Sequence, residues 1–425
     1  MAAVPSIPQN PSAEFTPLLE TLTALEDERG NGRNDYPVRV VWNSMLAGIV
    51  FQHKTTESLR RELMRNGQLR QICGFDITLG VEGVPSASAY TRFLCNLMKH
   101  EKEVDGIFDS LVRMLCDELP GFGEVLAIDG KALESYARPR RAESEKPYDG
   151  RRDIDANFGV KTYKGKNKDG SVWEKTMSWF GYKLHLIVDA NYELPVAFRV
   201  TQASRSEIKE ARTLVDEMAL RLPEIVDRCM YLTGDKGYDD TKMTTKLWDE
   251  YRIKPVIDIR NAWRDGEETK LVTGRENVVY DYKGTVYCYS PEDYRRCEMV
   301  PGGFEKDRDA LKHLCPAKYY GVECRGKDAC PVKSGVRIPL HEDRRVFTPV
   351  ARPSAKWKKI YDKRTAVERV NSRIDRVFGF EDHCIRGLRK MNLRCSLALV
   401  TMLAMALGRI RTKQEHKLRS LVQAA

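Results

Sequence analysis

The sequence predicts an α/β protein, and three observations carry that prediction. Two apolar runs, residues 124–128 and 229–233, each deliver an aspartate, Asp129 or Asp235, into a glycine-bearing turn. Short apolar runs of this kind read as buried strands. Strand patterns at 179–188, 194–201 and 254–259 are interspersed with helical patterns at 206–220 and 241–251. Three strands, a helix, a strand, a helix and a strand is the order expected of a sheet flanked by helices.

The first two strand patterns are a hairpin joined through Asp189-Ala190-Asn191-Tyr192-Glu193. Along residues 182–186, Tyr182, Leu184 and Leu186 alternate with Lys183 and His185. Two cationic candidates on one strand face suit phosphate, whereas a lone His most often serves the core. Ser206 is placed to cap the helix over 206–220.

Length and charge narrow the class. The chain has 425 residues, 42% hydrophobic and 31% charged, with a net charge of +10. That charge is concentrated: residues 351–425 hold 18 Lys+Arg against 6 Asp+Glu, while the preceding residues carry a net −2. Such a basic block is the footprint of a nucleic-acid or membrane partner, a solubilising tail being the plainer alternative, and a nucleic acid is the one expected. The longest apolar run, residues 397–407, is shorter than a membrane span and reads as a buried helix, so no membrane partner is expected. No signal peptide is visible, and the odd total of 11 cysteines does not resemble a secreted disulfide framework. The expected location is the cytoplasm.

Residues 1–36 are rich in Pro, Asn, Glu and Gly and are expected to be flexible, with one short helix at 17–28. Residues 37–120 read as helices at 38–53, 56–66 and 86–100, a helical DNA-binding domain with several arginines facing outward. Residues 137–177 are polar and basic without periodicity and read as a long loop. Between 261 and 351 the pattern is interrupted by an insertion that is partly β, with a hairpin around Lys283-Gly284. Cys288, Cys297, Cys315, Cys324, Cys330 and His313 crowd this insertion. None of these cysteines makes the short C-x-x-C type of pair usual in structural zinc sites, so reduced buried thiols are expected rather than zinc.

A helical stretch near the C-terminus carries the chemistry. Ile360, Val367, Val370, Ile374 and Val377 form one apolar stripe. Tyr361, Arg364 and Glu368, at i, i+3 and i+7, share a second face beside it. A carboxylate among so many cations suits a divalent metal held at phosphate. A surface helix with an Arg364–Glu368 pair is the plainer alternative. A final helix is expected over 392–411.

Taken together, Asp129-Gly130-Lys131, Gly234-Asp235-Lys236-Gly237-Tyr238 and the Tyr361, Arg364, Glu368 spacing resemble the insertion-sequence transposases of the DDE superfamily. Residues 181–185 and Leu194-Pro195 resemble that family's second and third strands. The signature's closing lysine is replaced by Asp375, with Arg376 next to it, about 100° further round the helix.

The resemblance implies an RNase H-like catalytic core, a mixed sheet flanked by helices, over 121–260 and 352–412, with 413–425 as a tail. It implies catalytic, metal-binding roles for Asp129, Asp235 and Glu368, and Mg²⁺ as cofactor with Mn²⁺ able to substitute. DNA contacts are expected from Tyr361, Arg364, Arg376, Lys183, His185 and Lys236. The implied reaction is cutting at terminal inverted repeats and joining of the 3′ ends to target DNA, by a homodimer in the cytoplasm of a prokaryote, at the nucleoid when bound to double-stranded DNA. The alternatives are a domesticated DNA-binding protein and a metal-dependent nuclease without strand transfer.

Overall fold

Strand β1 (Val125–Glu134) is shared by two compact units of the chain. The computed structural model describes residues 16–28, 36–139, 153–167 and 169–420. The first unit comprises Met1–Phe122, Gly130–Ser206 and Val367–Ala425, and the second Gly123–Asp129 and Glu207–Ala366. Most of the start expected to be flexible, and the middle of the expected long loop, lie outside the described residues.

Before β1 come α1 (Thr16–Asp27), α2 (Val38–Val50), α3 (Thr56–Arg65), α4 (Gly67–Cys73), α5 (Ala87–Leu97) and α6 (Glu101–Glu118). After it follow β2 (Asn157–Lys166), β3 (Val172–Asp189), β4 (Leu194–Gln202), α7 (Glu207–Arg221), α8 (Pro223–Arg228), β5 (Tyr231–Gly234), α9 (Thr241–Thr245) and β6 (Lys254–Ile257). The insertion holds β7 (Thr269–Leu271), β8 (Val278–Asp281), β9 (Val286–Tyr289), β10 (Arg296–Glu298), β11 (Val300–Glu305), β12 (Ala310–Leu314), α10 (Pro316–Tyr320) and β13 (Gly335–Pro339). The chain closes with α11 (Ala355–Tyr361), α12 (Thr365–Phe378) and α13 (Leu388–Arg411).

In the first unit, the N-terminal helices begin where capping chemistry marks them. Thr55 and Ser58 form a reciprocal capping box on α3, and the side chains of Asn66 and Ser86 cap α4 and α5. Val40, Val41, Leu59, Leu63, Leu69 and Tyr90 make their shared core. The second half of β1 lies beside β3, where Ser135 N–H donates to Phe180 O at 2.9 Å. A Cβ on Gly181 would stand 2.2 Å from Leu133 O, so only glycine permits this approach of the two backbones. β3 in turn pairs antiparallel with β2 and with β4.

β2 and the outer half of β3 form a ribbon where a loop was expected. Residues 172–178 are all exposed, so they show no apolar alternation for periodicity to detect. Backbone pairing holds the ribbon, and the indoles of Trp179 and Trp173 lie over Gly159 and Gly165 on the opposite strand.

The β3–β4 turn fixes α12. Asp189 Oδ1 accepts from the N–H groups of Asn191 and Tyr192 at 2.9 and 2.6 Å, an Asx turn. Glu193 follows with φ 60° and is 1% exposed. Its carboxylate pairs with Arg373 and Arg369 of α12, each at 2.8 Å, and with Arg419 at 3.2 Å. α13 begins at Leu388, four residues before its expected start, and packs against α6, α2 and β4. By length and composition it is apolar enough to cross a bilayer, and 72% of its most apolar window is buried in the protein.

In the second unit, β1 pairs in parallel with β5, and β5 with β6. Through β1 the sheet order is β4-β3-β1-β5-β6, with β2 continuing outward on β3. An antiparallel hairpin thus leads into parallel strands, a mixed sheet flanked by helices. The insertion adds a four-stranded antiparallel sheet, β10-β9-β8-β7, and a three-stranded one, β11-β12-β13. Val278, Val286, Leu311, Val336 and Ile338 share one core with Trp248 and Ile259, so the insertion packs onto the α9–β6 region. The Arg345 guanidinium pairs with buried Asp239 through Nε at 3.0 Å and through Nη2. Cys288 and Cys297 face each other across β9 and β10, and burial pushes the Cys288 thiol up to about 12.

Replacing one member of a buried ion pair leaves the other charge uncompensated. Arg373→Met is therefore expected to destabilise the protein by about 3 kcal/mol, the lower end of the range because Arg369 and Arg419 still reach Glu193. Chemical denaturation measures this, and adding Glu193→Gln should recover part of the loss.

Candidate active site

The second unit places Asp129 and Asp235 on paired strands, and Asp129 lies within β1 where the sequence put a strand end. Val125, Leu126 and Ala127 of β1 stand opposite Tyr231, Leu232 and Thr233 of β5. Continuing that register by two residues sets Asp129 against Asp235, on strands about 4.8 Å apart. Thr233 Oγ1 donates to Leu126 O at 3.1 Å and secures the pairing. Asp235 is held by the turn it begins, its Oδ1 accepting from Gly237 N–H at 2.7 Å.

The same register brings in an acidic residue that the sequence reading missed. Gly234 stands opposite Ile257, so Asp258 follows β6 as Asp235 follows β5. Its signal was present, since Lys254-Pro255-Val256-Ile257 is another short run delivering an aspartate. Lys236 reaches Asp258 at 3.5 Å.

Tyr361 and Arg364 belong to this unit. α11 packs against β5 and β6, and the rings of Trp357 and Tyr361 stack with centroids 4.5 Å apart. The Arg364 guanidinium lies 5.8 Å from the Tyr361 ring centroid. Burial, then the charge of Asp258, raise the Tyr361 phenol above its usual range, against the opposing effect of Arg364. Rather than one helix over the whole stretch, the chain makes α11, a 3₁₀ turn at Asp362–Arg364, and then α12.

Glu368, Arg376, Lys183 and His185 belong to the first unit. Glu368 is exposed on the first turn of α12, and Arg376 is exposed two turns further on. Asp375 meets the Lys131 ammonium at 2.7 Å, and Lys131 also reaches Glu381 at 3.2 Å. At the position where the resemblance puts a lysine, this chain thus has a carboxylate facing a lysine from β1. Burial raises the Asp375 carboxyl, and Lys131 counters it.

Lys183 and His185, expected at phosphate, are buried on β3. His185 is fully buried, with Nε2 2.9 Å from Thr201 Oγ1. Desolvation, with Lys183 and Arg199 nearby, lowers it to about 3, so it is neutral at physiological pH. The Lys183 ammonium is also buried, 3.3 Å from Arg205 O and 5.6 Å from the Trp179 ring centroid. Strand alternation assigned both to one open face, but this stretch of β3 is covered on both faces.

Among the described residues, no three His, Cys, Asp or Glu side chains are gathered as a ready metal site. Asp129 and Asp235 offer hard carboxylate oxygens on adjacent strands, a donor type that fits Mg²⁺.

Comparison with known proteins places these elements. The profile of the family described as "Transposase DDE domain" matches residues 120–404. Among solved structures, a piggyBac transposase synaptic complex with hairpin DNA is similar at a TM-score of 0.40 and 12% identity, covering 95% of this chain and 79% of that one. No curated protein matches by sequence.

Two outcomes follow from the geometry. A Cβ at Gly237 would stand 2.8 Å from Asp235 Oδ1, so Gly237→Ala must turn that carboxylate. The variant should keep its circular-dichroism spectrum and lose metal-dependent activity about tenfold or more. Separately, His185 binds its proton less readily folded, at about 3, than at the unperturbed 6.5. Between those values the unfolded chain holds more protons, so this stability is complete above about 6.5 and is lost as pH falls towards 3. Its contribution to the unfolding free energy should change by about 1.4 kcal/mol per pH unit within that window, as the difference between wild type and His185→Gln.

Proposed function

Because the chain belongs to the transposase DDE domain family, we propose that it cuts DNA at the terminal inverted repeats of an insertion sequence and joins the freed 3′ ends to target DNA. It is a transposase, and enzymes of this family generally use divalent metal ions. The observation that carries the finer reading is the parallel register setting Asp129 beside Asp235, with Tyr361 and Arg364 in the same unit.

Asp129, Asp235 and Glu368 are the residues that would hold the metal. Mg²⁺, with Mn²⁺ able to substitute, would supply a Lewis acid that activates water and stabilises the leaving 3′ oxygen. Arg364 is assigned to a phosphate oxygen, bidentately, and Tyr361 to the strand end beside it. Lys236 and Arg376 supply further positive charge, while the basic residues after 351 give sequence-independent backbone affinity.

The helices over 37–120 are the part we assign to reading the inverted repeats, with 121–260 and 352–412 as catalytic domain and 261–351 as insertion. A homodimer holding two ends is the proposed active form, in the cytoplasm of a prokaryote. A nuclease without strand transfer has the same carboxylates, and the joining step separates the two readings.

The test is cleavage and joining of labelled DNA carrying the element's own ends, with Mg²⁺. Wild type should nick and join. Asp129→Asn, Asp235→Asn and Glu368→Gln should each bind the DNA yet cut about a thousandfold more slowly, the equivalent of roughly 4 kcal/mol of lost transition-state stabilisation. Undiminished cutting by Glu368→Gln would remove that residue from the site. Cutting without joining would favour the nuclease, and binding alone a domesticated DNA-binding protein.

A further inference from the structure

The ion pair between Lys131 and Asp375 has no part in the catalytic reading, yet it joins two elements on which that reading depends. Both residues belong to the first unit. The Lys131 ammonium donates to Asp375 Oδ2 at 2.7 Å, and the two side chains are only 11% and 22% exposed. The other carboxylate oxygen, Asp375 Oδ1, is buried without a hydrogen-bond partner among the described residues. Lys131 therefore fixes how this carboxylate turns. Glu381 also reaches the ammonium, but its side chain is 73% exposed, and exposed pairs contribute little.

Where the partners sit gives the pair its consequence. Asp375 follows Glu368 by seven residues, close to two helical turns, so their side chains leave α12 within about 20° of one another. Lys131 follows Asp129 by two residues on β1, and side chains so spaced share one face of a strand. The bridge thus ties the Glu368 side of α12 to the face of β1 that Asp129 shares. Arg369 and Arg373, which pair with Glu193, leave the helix about 100° and 140° round from Glu368 and anchor a different side. The resemblance puts a lysine at 375, where it would meet Lys131 as a like charge. The carboxylate found there makes the position a partner instead.

We infer that Lys131 and Asp375 are positioning residues for the phosphoryl-transfer reaction. Their bridge sets the register of α12 against β1, and with it the placement of Glu368. A shielded ion pair selects one geometry where apolar packing tolerates several. The inference rests on the transposase reading of Asp129 and Glu368.

The test uses the full-length protein and compares wild type with Asp375→Asn, Lys131→Met and the exchanged pair Lys131→Asp with Asp375→Lys. Asp129→Asn is the control for the underlying reading. Hydrogen–deuterium exchange over residues 365–378, without DNA or metal, reports the seating of α12. Single-turnover cutting of labelled element ends, at saturating DNA and Mg²⁺, reports its consequence. Both single variants should exchange faster over α12, bind the ends with unchanged affinity and cut about tenfold more slowly. The exchanged pair should recover most of both losses. If the single variants cut at the wild-type rate, the bridge is structural only and the inference is wrong. If they are slow and the exchanged pair is no faster, the two residues act separately and the inference is equally wrong. If wild type does not cut, or Asp129→Asn cuts as fast as wild type, the underlying reading fails and the inference falls with it. Should Lys131→Met not fold, Asp375→Asn, which keeps the side-chain shape, decides alone.

Discussion

The constraint on which the candidate site depends is the parallel register of β1 against β5. Side chains alternate along a strand, so a slip of one residue would send Asp129 and Asp235 to opposite faces. The Thr233–Leu126 hydrogen bond and the packing of Ile128 and Tyr238 around Gly234 all fit only one register. Two like charges held this close repel, which is why the arrangement suits a cation between them.

A second constraint acts within the first unit. Glu193, buried at a turn with φ 60°, is tied to Arg369 and Arg373 of α12 and to Arg419. The helix that carries Glu368 is therefore fastened to the β3–β4 hairpin by charge as well as by its apolar stripe. In the second unit, Asp239 does comparable work by holding Arg345 of the insertion beside β6. In each case buried polar groups select one geometry where apolar packing alone tolerates several.

Much of this was legible before the fold. Asp129 and Asp235 were readable because an apolar run ending in an acid has few other uses, and the hairpin through 189–193 because its turn residues are distinctive. The insertion showed itself by breaking the α/β pattern. Asp258 carried the same signal as the other two aspartates but on a shorter run, with Pro255 inside it. The β2–β3 ribbon left no trace in periodicity, since strands with few buried faces do not alternate. The burial of Lys183 and His185 was not legible, because alternation tells which residues share a face and not whether a face is covered.

The sequence by itself determined most of the element order, the aspartates that follow apolar runs, the helical stretch bearing Tyr361, Arg364 and Glu368, and the charge asymmetry. These are local properties, set by propensity and spacing within a few residues. Only the tertiary structure decided which strands lie in register and that Lys131 faces Asp375. Those relations join residues more than 100 positions apart. They follow from backbone pairing and from exclusion of water, which arise once distant segments have packed.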